Sequence, residues 1–137
     1  MEKIIPTKAE NTLHYKAVEL DSILSLLVAN TDGALGAALG GMDGLLIEQF
    51  SNDAKLNLSN VVAEHSNLLR STKIAYGVSL SAGEVNEIIV TSDKMLGFTK
   101  RLNNDFFVTL ILEPNGNIGK ARLLLEQAIK NLKGVLG

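Results

Sequence analysis

From Lys16 onward, apolar residues recur at helical spacing. Ala17, Leu20, Ile23, Leu24, Leu27 and Val28 share one face, and Glu19, Asp21 and Ser25 lie elsewhere. Asn30-Thr31-Asp32-Gly33 stops the helix, with Gly33 suited to a C-terminal cap or turn. The pattern then changes to two apolar runs, Ala34–Gly41 and Leu45–Phe50, around Asp43-Gly44. That arrangement predicts a β-hairpin, because Gly44 takes positive φ without steric cost and Asp43 tolerates it. The first arm is built from Ala, Gly and Leu, so it leaves room for another backbone or a helix to approach closely.

A polar connection opens at Ser51, and Asp53, Asn57 and Ser59 are all candidate N-caps for a second helix running to about Val78. This helix carries two apolar stripes. Val61, His65, Leu68, Thr72 and Ala75 form one, and Val62, Leu69 and Tyr76 form another beside it. A helix lying on a single sheet needs one stripe, so the wider face predicts a contact beyond its own sheet. Three strands follow: Glu84–Ser92, Met95–Leu102 and Phe106–Leu112. In the first, Val85, Ile89 and Thr91 face one way, and Ile88 and Val90 the other. In the second, Leu96, Phe98 and Leu102 alternate with Met95, Gly97, Thr99 and Arg101. The third, FFVTLIL, is almost continuously apolar, which predicts a strand buried on both faces and helices on both sides of the sheet. A last helix, Ile118–Leu136, buries Ile118, Ala121, Leu125, Ala128, Leu132 and Val135. The expected fold is α+β, in the order α-β-β-α-β-β-β-α. The division expected is a polar lead at 1–15, containing Pro6 and His14, and one domain at 16–137.

Composition narrows the function classes. The chain has 137 residues, 46% hydrophobic and 20% charged, as expected of a globular domain. Thirteen basic and 15 acidic side chains leave a formal charge of −2, so no basic surplus exists to neutralise phosphates or an anionic membrane surface. No nucleic-acid partner and no membrane insertion are expected. Cysteine is absent, which removes disulfides, cysteine zinc sites and thiol nucleophiles together. With no apolar signal segment in MEKIIPTKAENT, a cytoplasmic location is expected. Asn57-Leu58-Ser59 matches the glycosylation sequon by chance in such a chain.

Catalytic patterns are lacking. Gly40-Gly41 is followed by Met42 rather than by Lys-Ser/Thr, and the run continues into a second strand, so neither phosphate-binding loop fits. His65 sits within an apolar stripe with no metal-ligand partner at suitable spacing, and reads as a core or interface histidine. Glu84, Glu87 and Asp93 are scattered, and no nucleophile elbow occurs. No catalytic residue, cofactor or metal is expected, and the chain does not read as an enzyme.

The element order and three strings together resemble the Roadblock/dynein-light-chain family, of the bacterial and archaeal MglB-like kind. The strings are GALGAALGGMDGLLIEQF, the long central helix, and FFVTLILEPNGNIGKARLLLEQAIKNL, in which Asn117-Ile118-Gly119-Lys120-Ala121-Arg122 stands where the family has Asn-Leu-Gly-x-x-Arg. The likeness covers about Lys16–Leu136. The connection Ser51–Leu58 is longer and more polar than a minimal family loop, and Met1–Tyr15 has no clear counterpart.

The resemblance implies a Roadblock-like (profilin-like) five-stranded antiparallel sheet, with the first and third helices on one face and the second on the other. It implies a homodimer in which the second helix and third strand pair across a twofold axis. It also implies a non-catalytic regulator or scaffold that binds a Ras-like small GTPase, and that promotes hydrolysis, where it does, without an arginine finger. The dimer residues it points to are Val61, His65, Leu68, Leu69, Thr72, Ala75, Ile88 and Val90. For GTPase contact it points to Asn60, Glu64, Asn67, Arg70, Ser71 and Lys73. The alternative is a small-molecule-sensing module of PAS-like or profilin-like type, which requires a cavity of several hundred Å³, in order of magnitude, beside the Gly-rich sheet.

Overall fold

The computed structural model describes residues 8–137, with side chains from Lys16 onward. Three α-helices and five strands follow the expected order: α1 Lys8–Asn30, β1 Ala34–Gly41, β2 Leu46–Ser51, α2 Leu58–Thr72, β3 Glu87–Thr91, β4 Leu96–Arg101, β5 Phe106–Leu112 and α3 Ile118–Leu136. The strands form one antiparallel sheet in the order β2-β1-β5-β4-β3. β5 is therefore central.

The side chains of β5 alternate between two cores. Val108, Leu110 and Leu112 meet Leu24, Phe98 and Leu125 under α1 and α3. Phe107 and Ile111 meet Val62, Leu69 and Ala38 under α2. This is the two-sided burial that its unbroken apolar run demands. β3 and β4 alternate as their sequences predict, with Leu96, Phe98 and Ile89 on the α1/α3 side and Ile88 on the α2 side.

Local signals set the element ends. Gly44, at φ +91°, turns the hairpin, and Asp43 Oδ1 accepts from Leu45 N–H at 3.1 Å. Of the three candidate caps for α2, Asn57 does the work, its Oδ1 accepting from Asn60 N–H at 3.0 Å. Asn117 does the same for α3, accepting from Lys120 N–H at 3.0 Å.

The sequence-based boundaries shift in several places. α1 starts at Lys8, eight residues before its apolar period becomes visible. The rest of the expected lead, 1–7, and the side chain of His14 lie outside the described residues. β3 begins at Glu87 rather than Glu84. Before it, the Arg101 backbone N–H donates to Asn86 O at 2.8 Å, and the chain is still turning through Ser81 and Gly83, both at positive φ. The expected single helix to Val78 stops being α-helical at Thr72. Lys73–Ser79 winds as a π-helix, with Leu80 N–H donating to Ala75 O at 2.9 Å. In α3, Ile129 joins the buried stripe, widening it beyond the period that the sequence suggested.

Glycines let α2 sit directly on the sheet. A Cβ on Gly40 would lie 2.7 Å from Val62 Cγ1 and 2.8 Å from Phe107 Cζ, both on fully buried side chains. A Cβ on Gly97 would lie 2.8 Å from His65 Cε1. Gly134, in α3, faces open space. Gly40→Ala is therefore expected to lower the unfolding free energy by about 1–3 kcal/mol through overpacking. Gly134→Ala is expected to raise it by about 0.5–1 kcal/mol by helix propensity. Urea denaturation of the two variants beside the parent chain checks the opposite signs.

Candidate interaction surface

The two faces of the sheet are unequally covered. α1 and α3 pack together across one face. On the other, α2 alone packs against β1, β2 and β5. One flank of α2 leans toward the β1–β2 turn, where Arg70 donates to Met42 O. The opposite flank leans toward β4, where His65 rests against Gly97 and Thr99. Beyond that flank, the same face of β3 shows Ile88 half-buried and Val90 exposed.

The expected dimer residues divide by burial. Leu69 is only 2% exposed and belongs to the core with Phe107 and Ile111, so it is committed within its own protomer and leaves that set. Val61, His65 and Thr72 are half-buried, and Leu68 and Ala75 are exposed, all on the flank facing β4 or its continuation. Ile88 and Val90 lie across from them on β3.

Of the apolar residues in the π-helical segment and its cap, Leu80, the sequence-based set includes Ala75 alone. Ile74 (62% exposed), Tyr76, Val78 (73%) and Leu80 are all accessible, and no residue of the segment is buried. Their alternation in KIAYGVSL was a usable signal. Apolar residues at every second position inside a helical stretch cannot all reach one core.

The sheet's two edges differ in a way that matters for pairing. β2 carries a register shift opposite Leu39 and Gly40, and Glu48 Oε1 accepts from Gln49 N–H at 3.0 Å, occupying an edge donor. A bulge and a charge of this kind block strand addition. β3 pairs with β4 in unbroken register from Glu87 to Thr91 and has no bulge or proline. Glu87, its one charge, is drawn toward α3, where it accepts from Arg122 at 2.7 and 3.1 Å and helps to keep that guanidinium charged. Arg122 also stacks 5.4 Å from the centre of the Phe98 ring. The Ile88-Ile89-Val90 edge is thus regular, apolar and anchored from behind.

The expected GTPase-contact residues do not form one cluster. Asn60, Glu64, Asn67 and Ser71 are exposed and follow helical spacing along the outward side of α2. Arg70 lies on the flank toward the β1–β2 turn, where its guanidinium bridges Met42 O and Asn67 Oδ1. Lys73 lines a small recess with Met42, Glu84, Arg101 and Asn104, in which Arg101 pairs with Glu84.

Beneath α2 lies a short polar chain. His65 Nδ1 is 2.6 Å from Thr99 Oγ1, which is 2.7 Å from Thr109 Oγ1 across the β4–β5 pair. Both threonines are fully buried. Burial pushes the His65 imidazole below its ordinary pKa, against a smaller upward pull from Glu64. Beneath α2 the Gly-rich strand leaves no room for a ligand, since Leu56 and Leu58 press on Gly36, and Val62 and Phe107 on Gly40; at its hairpin end an open groove of about 430 Å³ runs past Gly41, Asp43, Leu46 and Phe106. Among the described residues, no group of three or more His, Cys, Asp or Glu side chains is placed to hold a metal ion. Among the described residues, no helix is long and apolar enough to cross a membrane.

No protein-family model matches the chain, and no curated protein does. Solved structures do. The fold superimposes on a Roadblock/LC7 domain from Streptomyces avermitilis with a TM-score of 0.77 at 19% identity, covering 85% of this chain and 96% of that one. It superimposes on MglB of Myxococcus xanthus with a TM-score of 0.78 at 12% identity, covering 86% and 94%. MglC of Myxococcus xanthus is 30% identical over 85% of this chain and 98% of its own, with a TM-score of 0.60. The chain belongs to the Roadblock/LC7 family. As a Roadblock protein it keeps the five-stranded sheet and the helix placement that its sequence implied.

The Thr99 hydroxyl joins α2 to the centre of this Roadblock sheet. Thr99→Val keeps the shape but strands His65 Nδ1 and the Thr109 hydroxyl. A loss of about 1–3 kcal/mol is expected in chemical denaturation.

Proposed function

We propose that this Roadblock protein is a cytoplasmic, homodimeric, non-catalytic regulator or scaffold for a Ras-like small GTPase. The observation that carries the dimer is the set of exposed apolar side chains on the outer flank of α2, the π-helical segment with its cap, and the β3 edge. Leu68, Ile74, Val78, Leu80 and Val90 are exposed on these elements. A large exposed apolar patch marks an interaction site. A second copy related by a twofold axis offers the same elements in return: β3 against β3 extends the sheet, and flank against flank covers the apolar side chains.

The GTPase reading comes from the family resemblance. Its support here is the polar line Asn60, Glu64, Asn67 and Ser71. In the proposed dimer this line stays on the outer side of α2, free for a second protein. Arg70 and Lys73 extend the candidate contact toward the β1–β2 turn. Arg70 is occupied with its own protomer's Met42 and Asn67, so its part in the contact is to hold the turn and Asn67 in place. No arginine finger is invoked.

Light scattering on the purified chain is expected to give the mass of a dimer. Leu68→Asp and Val90→Lys are each expected to give a folded monomer, read as an unchanged circular dichroism spectrum with half the mass. A persistent dimer in both variants would refute the interface. For the partner, co-purification with a Ras-like GTPase encoded beside this chain, followed by GTP hydrolysis with and without it, separates the two roles. A faster rate marks an activator, and intact binding at an unchanged rate marks a scaffold. Lys73→Glu with Asn67→Ala is expected to weaken that binding while leaving the dimer intact.

A further inference from the structure

We infer that His65 makes self-association acid-sensitive: its imidazole, tied to the Thr99–Thr109 hydroxyl pair, lies on the flank of α2 that a second copy covers, and protonating it separates the copies. The inference rests on the dimer proposed above.

The ring is held from below and open on one side. Its Cε1 lies so close to the Gly97 backbone that a Cβ there would be 2.8 Å away, and its Nδ1 is fixed 2.6 Å from Thr99 Oγ1. Most of the residue is already out of solvent in one protomer. The groups that face it carry almost no charge. β4 offers Gly97 and Thr99, β5 offers Thr109, and β3 shows Ile88 and Val90 on the same side. From α2 itself, Glu64 is the one carboxylate that acts on the ring, and it is exposed.

A neutral imidazole suits this setting. It has one N–H, and the hydroxyl chain runs in whichever direction its tautomer requires. An imidazolium has two. Nδ1–H can be received by Thr99, whose hydroxyl then turns to Thr109, but Nε2–H needs an acceptor. Nε2 lies against Gly97, where a Cβ would be 3.1 Å away, and a partner flank made of the same Val61, Leu68 and Ala75 adds methyl groups rather than an acceptor. Covering the flank also removes water from a charge that no carboxylate in the interface neutralises.

The direction follows from linkage. Burial lowers the folded pKa below the ordinary value near 6.5, so the unfolded chain binds a proton that the folded chain refuses. The stabilising contribution is complete above about pH 6.5 and is lost as pH falls toward the folded value. Dimerisation extends the same trend, because the covered ring is more desolvated than the free one. Dissociation then takes up to two protons per dimer, and the dissociation constant rises by up to about 100-fold per pH unit in the window between the two pKa values.

Sedimentation equilibrium of the full chain from about pH 8 to about pH 5, with ellipticity followed in parallel, tests this. The dissociation constant is expected to be flat above about pH 7 and to rise as pH falls below that toward about 5. His65→Gln is expected to flatten the profile. Glu64→Gln, at an exposed site that leaves the packing intact, is expected to move the onset to lower pH. A parent profile without slope overturns the inference, as does His65→Gln with the parent's slope. Loss of ellipticity in step with dissociation also overturns it, since that is acid unfolding. A monomer at about pH 8 overturns the dimer itself, and the switch with it.

Discussion

A central strand buried on both faces is the constraint from which the rest of this structure follows. β5 has apolar side chains above and below the sheet. The described residues form three α-helices for two faces. α1 and α3 close one of them, and α2 must serve the other alone. One helix spans about two strands of a sheet, given strand spacing near 4.8 Å and a helix diameter of about 10 Å. The β4–β3 half of the α2 face is therefore left short of cover by the element count itself.

The glycine-rich hairpin arm sets where that single helix lies. Gly36 and Gly40 of β1 and Gly97 of β4 let Leu58, Val62 and His65 settle against bare backbone, so α2 centres over β1, between β2 and β5. Glycines in the interior of a strand weaken it locally. Here the lost side-chain volume is refilled by the helix, and β1 is flanked on both sides by paired strands. The run that looks like a phosphate loop in isolation is the floor on which α2 rests.

The two edges of the sheet and the two flanks of α2 then acquire different characters. The β2 edge is bent by a bulge and occupied by Glu48, whereas the β3 edge is straight and apolar. One flank of α2 is tied to the hairpin turn by Arg70, and the other carries His65, Leu68 and the exposed π-helical continuation. The exposed apolar side chains of α2 and its π-helical continuation, Leu68, Ile74, Tyr76 and Val78, have the regular β3 edge as their neighbour in the sequence. A titratable ring placed on that side, over a buried pair of hydroxyls, couples protonation to whatever covers it.

The sequence by itself determined the element order, the hairpin turn at Asp43-Gly44, a polar cap for α2 among Asp53, Asn57 and Ser59, and the two-faced burial of FFVTLIL. These are local or periodic properties, set by the φ preference of glycine, by side chains that accept backbone N–H bonds, and by alternation along a strand. It also showed that α2 has too much apolar surface for one sheet. Only the tertiary structure decided how that surface is divided. Val61, Leu68 and Leu69 read alike in the chain, yet Leu69 is consumed by Phe107 and Ile111 while Leu68 stays outside. The switch to π-helical winding at Lys73, the bulge that separates one edge from the other, and the meeting of His65 with Thr99 and Thr109 join residues far apart in the chain or depend on how neighbouring turns pack. No local pattern encodes them, because each is set by which strand lies under which turn of α2.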